Sequence, residues 1–130
     1  DINKDSSSWG NYENAKIENI KAGKYAIYKN SSLGTWNKIV DSYTKTNVSP
    51  DYDALLSTGI TEYTRKMNIY DFAGNEWEWT LENTSISYDP CAGRGGSYDY
   101  TGSYHSASFR NSNSTTDSYD TFGFRSALYK

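Results

Sequence analysis

The sequence contains few of the residues on which many protein sites depend. Its single cysteine, Cys91, excludes an internal disulfide and a cysteine zinc site, and its single histidine, His105, excludes a histidine metal cluster. No apolar run approaches membrane-spanning length, so we expect no membrane insertion. The 16 acidic and 13 basic residues give a net charge of −3 and no basic stripe, which argues against nucleic-acid binding.

Aliphatic side chains are also scarce, because Leu, Ile, Val and Phe together number 19 in 130 residues. Such a scarcity predicts disorder when it is combined with a high net charge, and here the net charge is small. The sequence offers 4 Trp and 13 Tyr residues instead. We therefore expect one folded domain with an aromatic core, whose ring N–H and O–H groups reach polar partners.

Lysine and glutamate are absent from Ala92 to Tyr129, although both are common earlier in the chain. Within this stretch, residues 97–121 are dominated by Ser, Tyr, Thr, Asp and Asn. Tyrosine supplies a large amphipathic contact area at a low entropic cost, and Ser and Asn supply adaptable hydrogen bonds, as in antibody paratopes. The composition therefore predicts a binding surface on residues 97–121, with a solvated loop as the alternative.

Short extended segments dominate the predicted secondary structure. Alternation and aromatic or β-branched residues predict strands at Lys24–Lys29, Trp36–Val40, Glu76–Leu81 and Phe122–Tyr129. Ser49 and Pro50, followed by the apolar run 54–56 and by Gly59, predict a capped helical turn. Residues 83–121 carry mainly turn and loop signals, and an irregular region of that length in a compact domain indicates function.

The most specific local sequence is NIYDFAGNEWEWT, at residues 68–80. Gly74 permits a tight turn, after which Trp77 and Trp79 project from one face of a strand while Glu76 and Glu78 project from the other. The segment resembles the GNVWEW signature of the formylglycine-generating enzyme family, also called the sulfatase-modifying-factor family, a branch of the C-type lectin fold. The resemblance continues in the family's order through RGGS at 94–97, ASFR at 107–110 and GFR at 123–125.

This resemblance implies an α+β, C-type lectin-like fold with small antiparallel sheets, much irregular loop and little helix. It also implies that residues 1–130 form the C-terminal part of one such domain, with upstream sequence removed. The family's enzymes resemble one another in a C-terminal cysteine pair, and related iron enzymes need several histidines; Cys91 and His105 supply neither. We therefore expect a non-enzymatic protein with no catalytic residues. The alternatives are a degenerate formylglycine-generating-type oxidoreductase and a structural surface domain.

A closer resemblance is to the variable proteins of diversity-generating retroelements, which use this lectin-like fold as a platform. In those systems adenine replacement turns Asn codons of the type AAY into Tyr, Asp, Ser, His, Thr and others, but never into Lys or Glu. The resemblance implies a receptor or adhesion protein of a phage particle or bacterial surface, which binds a protein or glycan on a cell surface. The implied variable segment is residues 97–121. Its expected ligand-binding residues are Tyr98, Asp99, Tyr100, Tyr104, His105, Phe109, Asn111, Ser112, Asn113, Asp117, Tyr119, Asp120 and Thr121.

The turn at residues 71–78 has a second implied role. The family's enzymes are similar to this stretch where they bind a structural Ca²⁺, with side-chain oxygens at Asp71 and Glu78 and backbone carbonyls at Gly74 and Glu76. Hard oxygen donors around a glycine turn suit Ca²⁺. The resemblance thus implies a structural Ca²⁺ here and no other cofactor, with a turn held by hydrogen bonds alone as the alternative.

The remaining expectations concern the scaffold and the binding anchors. We expect the core to include Trp77, Trp79, Phe124 and Leu128, because alternation places both tryptophans on one buried face. Three arginines in the family blocks are expected to donate to backbone carbonyls or carboxylates rather than to a ligand: Arg94, Arg110 and Arg125. Tyr104 and Tyr119 are the expected hot spots, because each lies beside a polar residue.

Overall fold

The computed structural model describes residues 1–20, 22–41, 43–45 and 53–126. These ranges consist of short strands, a 3-10 helix at Glu62–Thr64 and long irregular segments. The strands are β1 (Lys24–Lys29), β2 (Ser32–Leu33), β3 (Asn37–Lys38), β4 (Asp53–Leu56), β5 (Arg65–Lys66), β6 (Ile69–Tyr70), β7 (Trp77–Asn83), β8 (Cys91–Arg94), β9 (Asn111–Asn113) and β10 (Phe122–Phe124). Small sheets with loops and almost no helix are what the sequence predicted. In the described ranges no helix is long and apolar enough to cross a membrane.

Strand β1 is the centre of the first sheet and pairs antiparallel along both edges. One edge pairs with β4, where Ala26 lies opposite Leu55. The other edge pairs with β2 at one end and with β3 at the other. Asn30 and Ser31 join β1 to β2 with φ of 53° and 60°, the left-handed conformation that a two-residue hairpin turn requires. The strand predicted at Lys24–Lys29 is confirmed, and β3 is the central part of the one predicted at 36–40.

The predicted helical turn around residues 54–56 is wrong. Asp53–Leu56 is strand β4, and Ala54, Leu55 and Leu56 are all buried. A short apolar run has no alternation when both faces of a strand are covered, so its pattern does not distinguish a strand from a helical turn. The pairing with β1 decides the outcome. The proposed cap at Ser49 and Pro50 lies outside the described residues.

The second sheet has the order β10-β7-β8-β9. β10 runs parallel to β7, and this register sets Phe122 beside Trp77 and Phe124 beside Trp79. The other two pairs are antiparallel. The strand predicted at 76–81 is therefore confirmed, and β10 forms the start of the one predicted at 122–129. Strands β8 and β9 fall within the region predicted as turns and loops.

The core is built largely from the irregular N-terminal segment. Tyr12, Ile17 and Ile20 are buried and pack with Leu56 and Ala73. The Tyr12 hydroxyl donates to Gly95 O at 2.7 Å, as expected for an aromatic core whose polar groups find partners. The sequence analysis did not identify this segment as core, because its apolar residues follow neither strand nor helix periodicity.

The four predicted core residues have different outcomes in the structure. Trp77 is 1% exposed, which confirms its assignment. Phe124 is 84% exposed, so its assignment is wrong: it is the last residue of the edge strand β10, and the described residues leave most of its side chain uncovered. Trp79 is half-buried. Leu128 lies outside the described residues.

The turn before β7 is wedged against the N-terminal segment. Gly74 has a φ of 68°, and a Cβ atom added there would lie 2.6 Å from Asn11 O. Glycine is thus required both by the backbone conformation and by the close approach of a second backbone. Farther along the sheet, Glu82 accepts from both Arg94 and Arg110, and Arg125 pairs with Glu78. All three arginines therefore bind carboxylates, as expected.

Candidate functional site

A concave surface forms where the first sheet, the second sheet and the variable segment meet. Its volume is about 260 Å³. Three rings from the scaffold line it: Tyr28 of β1, Trp77 of β7 and Phe122 of β10. The remaining lining residues all belong to the predicted ligand-binding set: Asp99, Tyr100, His105, Asn111, Asn113, Tyr119, Asp120 and Thr121. We call this surface the aromatic cavity.

The His105 ring contacts four other aromatic rings at the aromatic cavity. Its ring centroid lies 4.2 Å from that of Tyr100, 4.5 Å from those of Tyr104 and Phe109, and 4.9 Å from that of Trp77. On the other side of Trp77, the Phe122 ring stacks at 6.0 Å with an interplanar angle of 17°. The variable rings and the scaffold rings thus form one continuous aromatic surface.

Backbone hydrogen bonds hold the variable segment in place. Tyr100 O accepts from Glu13 N at 2.9 Å, Gly102 O accepts from Ser6 N at 2.9 Å, and Thr121 O accepts from Trp77 N at 2.8 Å. Strand β9 is paired along β8, with Ser112 opposite Ala92. These bonds use backbone atoms of residues 97–121 and do not involve the side chains of that segment.

The aromatic cavity carries negative charge. Asp99 is half-buried, Asp120 lies at the rim, and no Lys or Arg is among the described residues that line the cavity. Burial raises the pKa of the Tyr28 hydroxyl, and the charges of Asp99 and Asp120 add to the rise. Burial lowers the pKa of His105, with Asp99 opposing the change, so the imidazole is neutral at pH 7.

Two polar atoms of the cavity lining are buried and lack hydrogen-bond partners within the described chain. They are Nδ1 of His105 and Nδ2 of Asn113. Asn113 is 7% exposed, so its side-chain amide is well removed from bulk solvent. Buried polar groups are nearly always hydrogen-bonded, so these two atoms represent unused hydrogen-bonding capacity at the cavity.

The predicted residues that do not line the cavity have varied placements. Tyr104 is 68% exposed and stacks on Tyr100 at 5.8 Å, and Phe109 lies beside His105. Ser112 is half-buried in β9, and Asp117 accepts from Ser114 N at 2.9 Å in a turn. Tyr98 is fully buried and packs edge-on against Tyr28, so its ring lies beneath the surface rather than on it.

Sequence reasoning missed the three scaffold rings of the cavity as functional residues. The alternation of Lys24–Lys29 predicted the strand that carries Tyr28, but nothing local indicated which variable loop it would meet. Trp77 was expected only in the core and Phe122 only as the first residue of a strand, and both also line the cavity. The parallel pairing of β10 with β7, which joins the two rings, has no signal in the sequence.

The predicted Ca²⁺ turn lines a separate cavity of about 270 Å³. Glu78 Oε1 accepts from Arg125 Nε at 2.8 Å and also from Nη2 of the same guanidinium. Asp71 Oδ2 accepts from Gly59 N at 2.9 Å, and Asp71 O accepts from Arg125 at 3.2 Å. The predicted backbone ligand Gly74 O accepts from Glu76 N at 3.0 Å.

In this arrangement the Asp71 and Glu78 carboxylates already accept hydrogen bonds from Gly59 N and Arg125. The Arg125 guanidinium already provides the positive charge beside Glu78, and Ca²⁺ needs six to eight oxygen ligands. Within the described ranges, no three acidic, histidine or cysteine side chains are grouped so that they could share a metal ion. Binding of Ca²⁺ by Asp71 and Glu78 would require Arg125 to move away.

Comparison with known proteins gives one family. The family model described as "Sulfatase-modifying factor enzyme 1-like domain" matches residues 4–129. No curated protein matches the chain, and no solved structure does.

Proposed function

Because the chain belongs to the sulfatase-modifying factor enzyme 1-like family, we propose that it uses the family's C-type lectin-like scaffold for binding rather than for catalysis. In this proposal it is a variable protein of a diversity-generating retroelement. It acts as a receptor or adhesion protein, and residues 97–121 form its diversified ligand-binding segment. The small sheets and long irregular segments are compatible with that scaffold.

The single observation that carries the proposal is the convergence of the variable side chains on one concave surface. Residues separated by more than twenty positions in sequence, such as Asp99 and Asp120, line the same cavity. All the cavity residues contributed by the variable segment are of types that adenine replacement in AAY codons can produce. A solvated loop would not require its side chains to gather in this way.

Within residues 97–121 the backbone and the side chains make different contacts, and this difference supports the same proposal. Its attachments to the scaffold are chiefly backbone hydrogen bonds, such as those from Glu13 N and Ser6 N. Most side chains that face the cavity take no part in such attachments, although Asp120 also accepts from Leu33 N. A fold that tolerates many sequences at one surface needs this separation between the framework and the contact residues.

The proposed mechanism is non-covalent recognition of a protein or glycan on a cell surface, by a protein of a phage particle or a bacterial surface. Exposed rings, including Tyr104 and Tyr119, would lose water on contact, while Asp and Asn side chains would fix the orientation of the partner. We expect a few aromatic anchors to dominate the binding free energy.

Two experiments test this function. The first is a search of the source genome for a reverse-transcriptase gene beside a near-copy of the segment encoding residues 95–129, with Asn codons at the variable positions. The second is a whole-cell binding screen with the protein and a variant carrying Tyr104→Asn and Tyr119→Asn, the residues that an unmodified template would encode. We expect the variant to keep the melting temperature and lose the partner.

The oxidoreductase alternative is tested separately, because the family includes enzymes. Cys91, the chain's single cysteine, lies in β8 opposite Asn113 and does not line the aromatic cavity. Incubation of the protein with a sulfatase-type cysteine peptide should leave the peptide thiol unchanged. Conversion of that cysteine to formylglycine would overturn the binding proposal in favour of catalysis.

A further inference from the structure

The aromatic cavity combines two carboxylates, those of Asp99 and Asp120, with a lining of aromatic rings. Asp99 Oδ1 accepts from Ser97 Oγ, and Asp120 Oδ2 accepts from Leu33 N at 3.0 Å. The second oxygen of each carboxylate receives no hydrogen bond from any residue that the structure describes. Neither aspartate forms a salt bridge with a described basic side chain.

The negative charges of these carboxylates act on the groups around the cavity. Burial raises the pKa of the Tyr98 hydroxyl beneath the cavity, and Asp99, Asp120 and Glu76 all contribute to the rise. The nearby cation, Lys45, is buried and donates to Asn11 Oδ1 at 2.9 Å, so its ammonium is held away from the cavity. The field inside the cavity therefore favours a positively charged occupant.

The aromatic rings of the cavity also favour a cation. Tyr28, Trp77, Tyr100, Tyr119 and Phe122 contribute to the wall on several sides. The negative faces of aromatic rings attract ammonium and guanidinium groups, and this attraction strengthens when the cation is partly desolvated. Among the described residues that line the cavity there are rings and carboxylates but no basic side chain, and this environment suits a cation.

Hydrogen-bonding capacity and size narrow the class of ligand. Nδ1 of the neutral His105 imidazole has no partner among the described residues and can accept from a cationic head. The unpartnered Nδ2 of Asn113 is a donor, so the Asn113 amide can accept only when it is flipped and its oxygen takes that position. A volume of about 260 Å³ lies below the range of roughly 300–1,000 Å³ typical of pockets for drug-sized molecules. The cavity is large enough for the end of one side chain.

We propose that the aromatic cavity binds a lysine or arginine side chain of a protein partner, whose cationic head lies between Asp99 and Asp120 and against the surrounding rings. This inference rests on the proposed binding function and specifies the chemistry of its central contact. A neutral glycan would also stack on the rings, but it would leave the two carboxylates without a compensating charge. An anionic glycan would be repelled.

The test uses small probes that reproduce a single side chain. N-acetyl-arginine methylamide and N-acetyl-lysine methylamide are titrated into ¹⁵N-labelled protein, with the citrulline and norleucine analogues as neutral controls. We expect amide shifts centred on Asp99, His105 and Asp120, and an affinity for the cationic probes on the order of tenfold above that for their neutral analogues. Added salt should weaken the binding of the cationic probes.

Charge-neutralising variants identify the site. Asp99→Asn and Asp120→Asn preserve shape and should each weaken binding of the cationic probe about threefold or more, and the double variant about tenfold or more. Asp41→Asn is the matched control, because Asp41 is an exposed acidic residue that lies outside residues 97–121 and does not line the cavity. Unchanged melting temperatures would show that the variants remain folded. Equal affinities for arginine and citrulline probes, or binding of methyl glycosides in preference to the cationic probes, would overturn the proposal.

Failure of this inference is distinguishable from failure of the proposed function. A cell-surface protein that binds through residues 97–121, but still binds after its interfacial lysines and arginines are replaced, would refute the cationic contact alone. Specific binding of the cationic probes by a protein with no macromolecular partner would support the contact and count against the receptor function.

Discussion

The side-chain amide of Asn75 forms two hydrogen bonds with the backbone of Leu56, in the pattern that joins two paired strands. Asn75 Nδ2 donates to Leu56 O at 3.0 Å, and Leu56 N donates to Asn75 Oδ1 at 3.0 Å. The same Oδ1 accepts from Asn11 Nδ2 at 2.9 Å. Asn75 therefore ties strand β4 and the N-terminal segment to the turn that precedes β7, from which Trp77 enters the core.

Replacement of Asn75 by alanine should destabilise the protein strongly. The change leaves buried groups of Leu56 and Asn11 without partners, and it places a Cβ-bearing, non-polar residue at a φ of 69°. We expect a loss of about 3 kcal/mol in the free energy of unfolding, measured by chemical denaturation. Asn30→Ala is the matched control, because Asn30 has a φ of 53° at an exposed position. Similar losses for both variants would show that backbone strain, not the amide contacts, determines the effect.

The turn at Asn75 also shows what the sequence could and could not predict. The motif at 68–80 predicted the tight turn, the strand after it and the buried Trp77, because each depends on local spacing. The partner of Asn75 could not be predicted, because Leu56 is brought to it by the pairing of β1 with β4. For the same reason, the run 54–56 was interpreted as a helical turn.

A similar limit applies to the candidate site. Composition alone indicated a binding surface on residues 97–121, because the absence of Lys and Glu from Ala92 to Tyr129 is visible without a structure. It did not predict that Tyr98 is buried while its neighbours Asp99 and Tyr100 line the cavity. That distinction depends on the contact between Tyr98 and Tyr28, which joins distant parts of the chain.

The scaffold and the variable surface should respond differently to mutation. Trp77→Ala removes a side chain that is 1% exposed and should cost about 3–5 kcal/mol. Tyr104→Ser removes a ring that is 68% exposed and should change stability by no more than about 0.5 kcal/mol. Thermal and urea denaturation of the two variants provide the comparison. A larger loss for Tyr104→Ser would contradict the division between framework and contact residues.

Arg125 should stabilise the turn at 71–78 without help from a metal ion. Its guanidinium binds the Glu78 carboxylate and the Asp71 carbonyl, so Arg125→Gln should cost about 1 kcal/mol, a modest value because the pair is partly exposed. A chelator should leave the melting temperature of the intact protein unchanged. A fall in melting temperature that is reversed by added Ca²⁺, and that is absent in Asp71→Ala, would instead support the Ca²⁺ site implied by the family resemblance.

Asp53 should make stability depend on pH in a defined direction. Burial raises its pKa from 3.8 to about 6, with Glu13 and Asp99 adding to the rise and Lys45 opposing it. A folded-state pKa above the unfolded value means that the folded protein binds the proton more tightly, so this group reduces stability as the pH rises from about 4 to 6. Asp53→Asn should remove this pH-dependent loss of stability. The variant should therefore have a larger free energy of unfolding than the wild-type at pH 7.

Denaturation at several values between pH 4 and pH 7 checks this prediction. The quantity to compare is the difference in unfolding free energy between Asp53→Asn and the wild-type, because other carboxylates titrate in the same range. Asp41→Asn, at an exposed position, is the control and should show no comparable change. A difference for Asp53→Asn that stays constant across the range would contradict the raised pKa.

Binding free energy should concentrate on Tyr119 and Tyr104. Tyr119 lines the aromatic cavity, is 52% exposed and lies 5.9 Å from Phe122, so a partner can cover a ring that already has support from the scaffold. Tyr104 is supported in the same way by Tyr100 and His105. Supported rings lose little conformational entropy on binding, so truncation of either to alanine should cost about 2 kcal/mol or more of binding free energy.

Ser112→Ala should cost much less, because Ser112 does not line the cavity. The measurement is an alanine scan against the partner recovered from whole cells. Small, even losses across residues 97–121, or a hot spot within Lys24–Lys29, would show that the partner binds elsewhere.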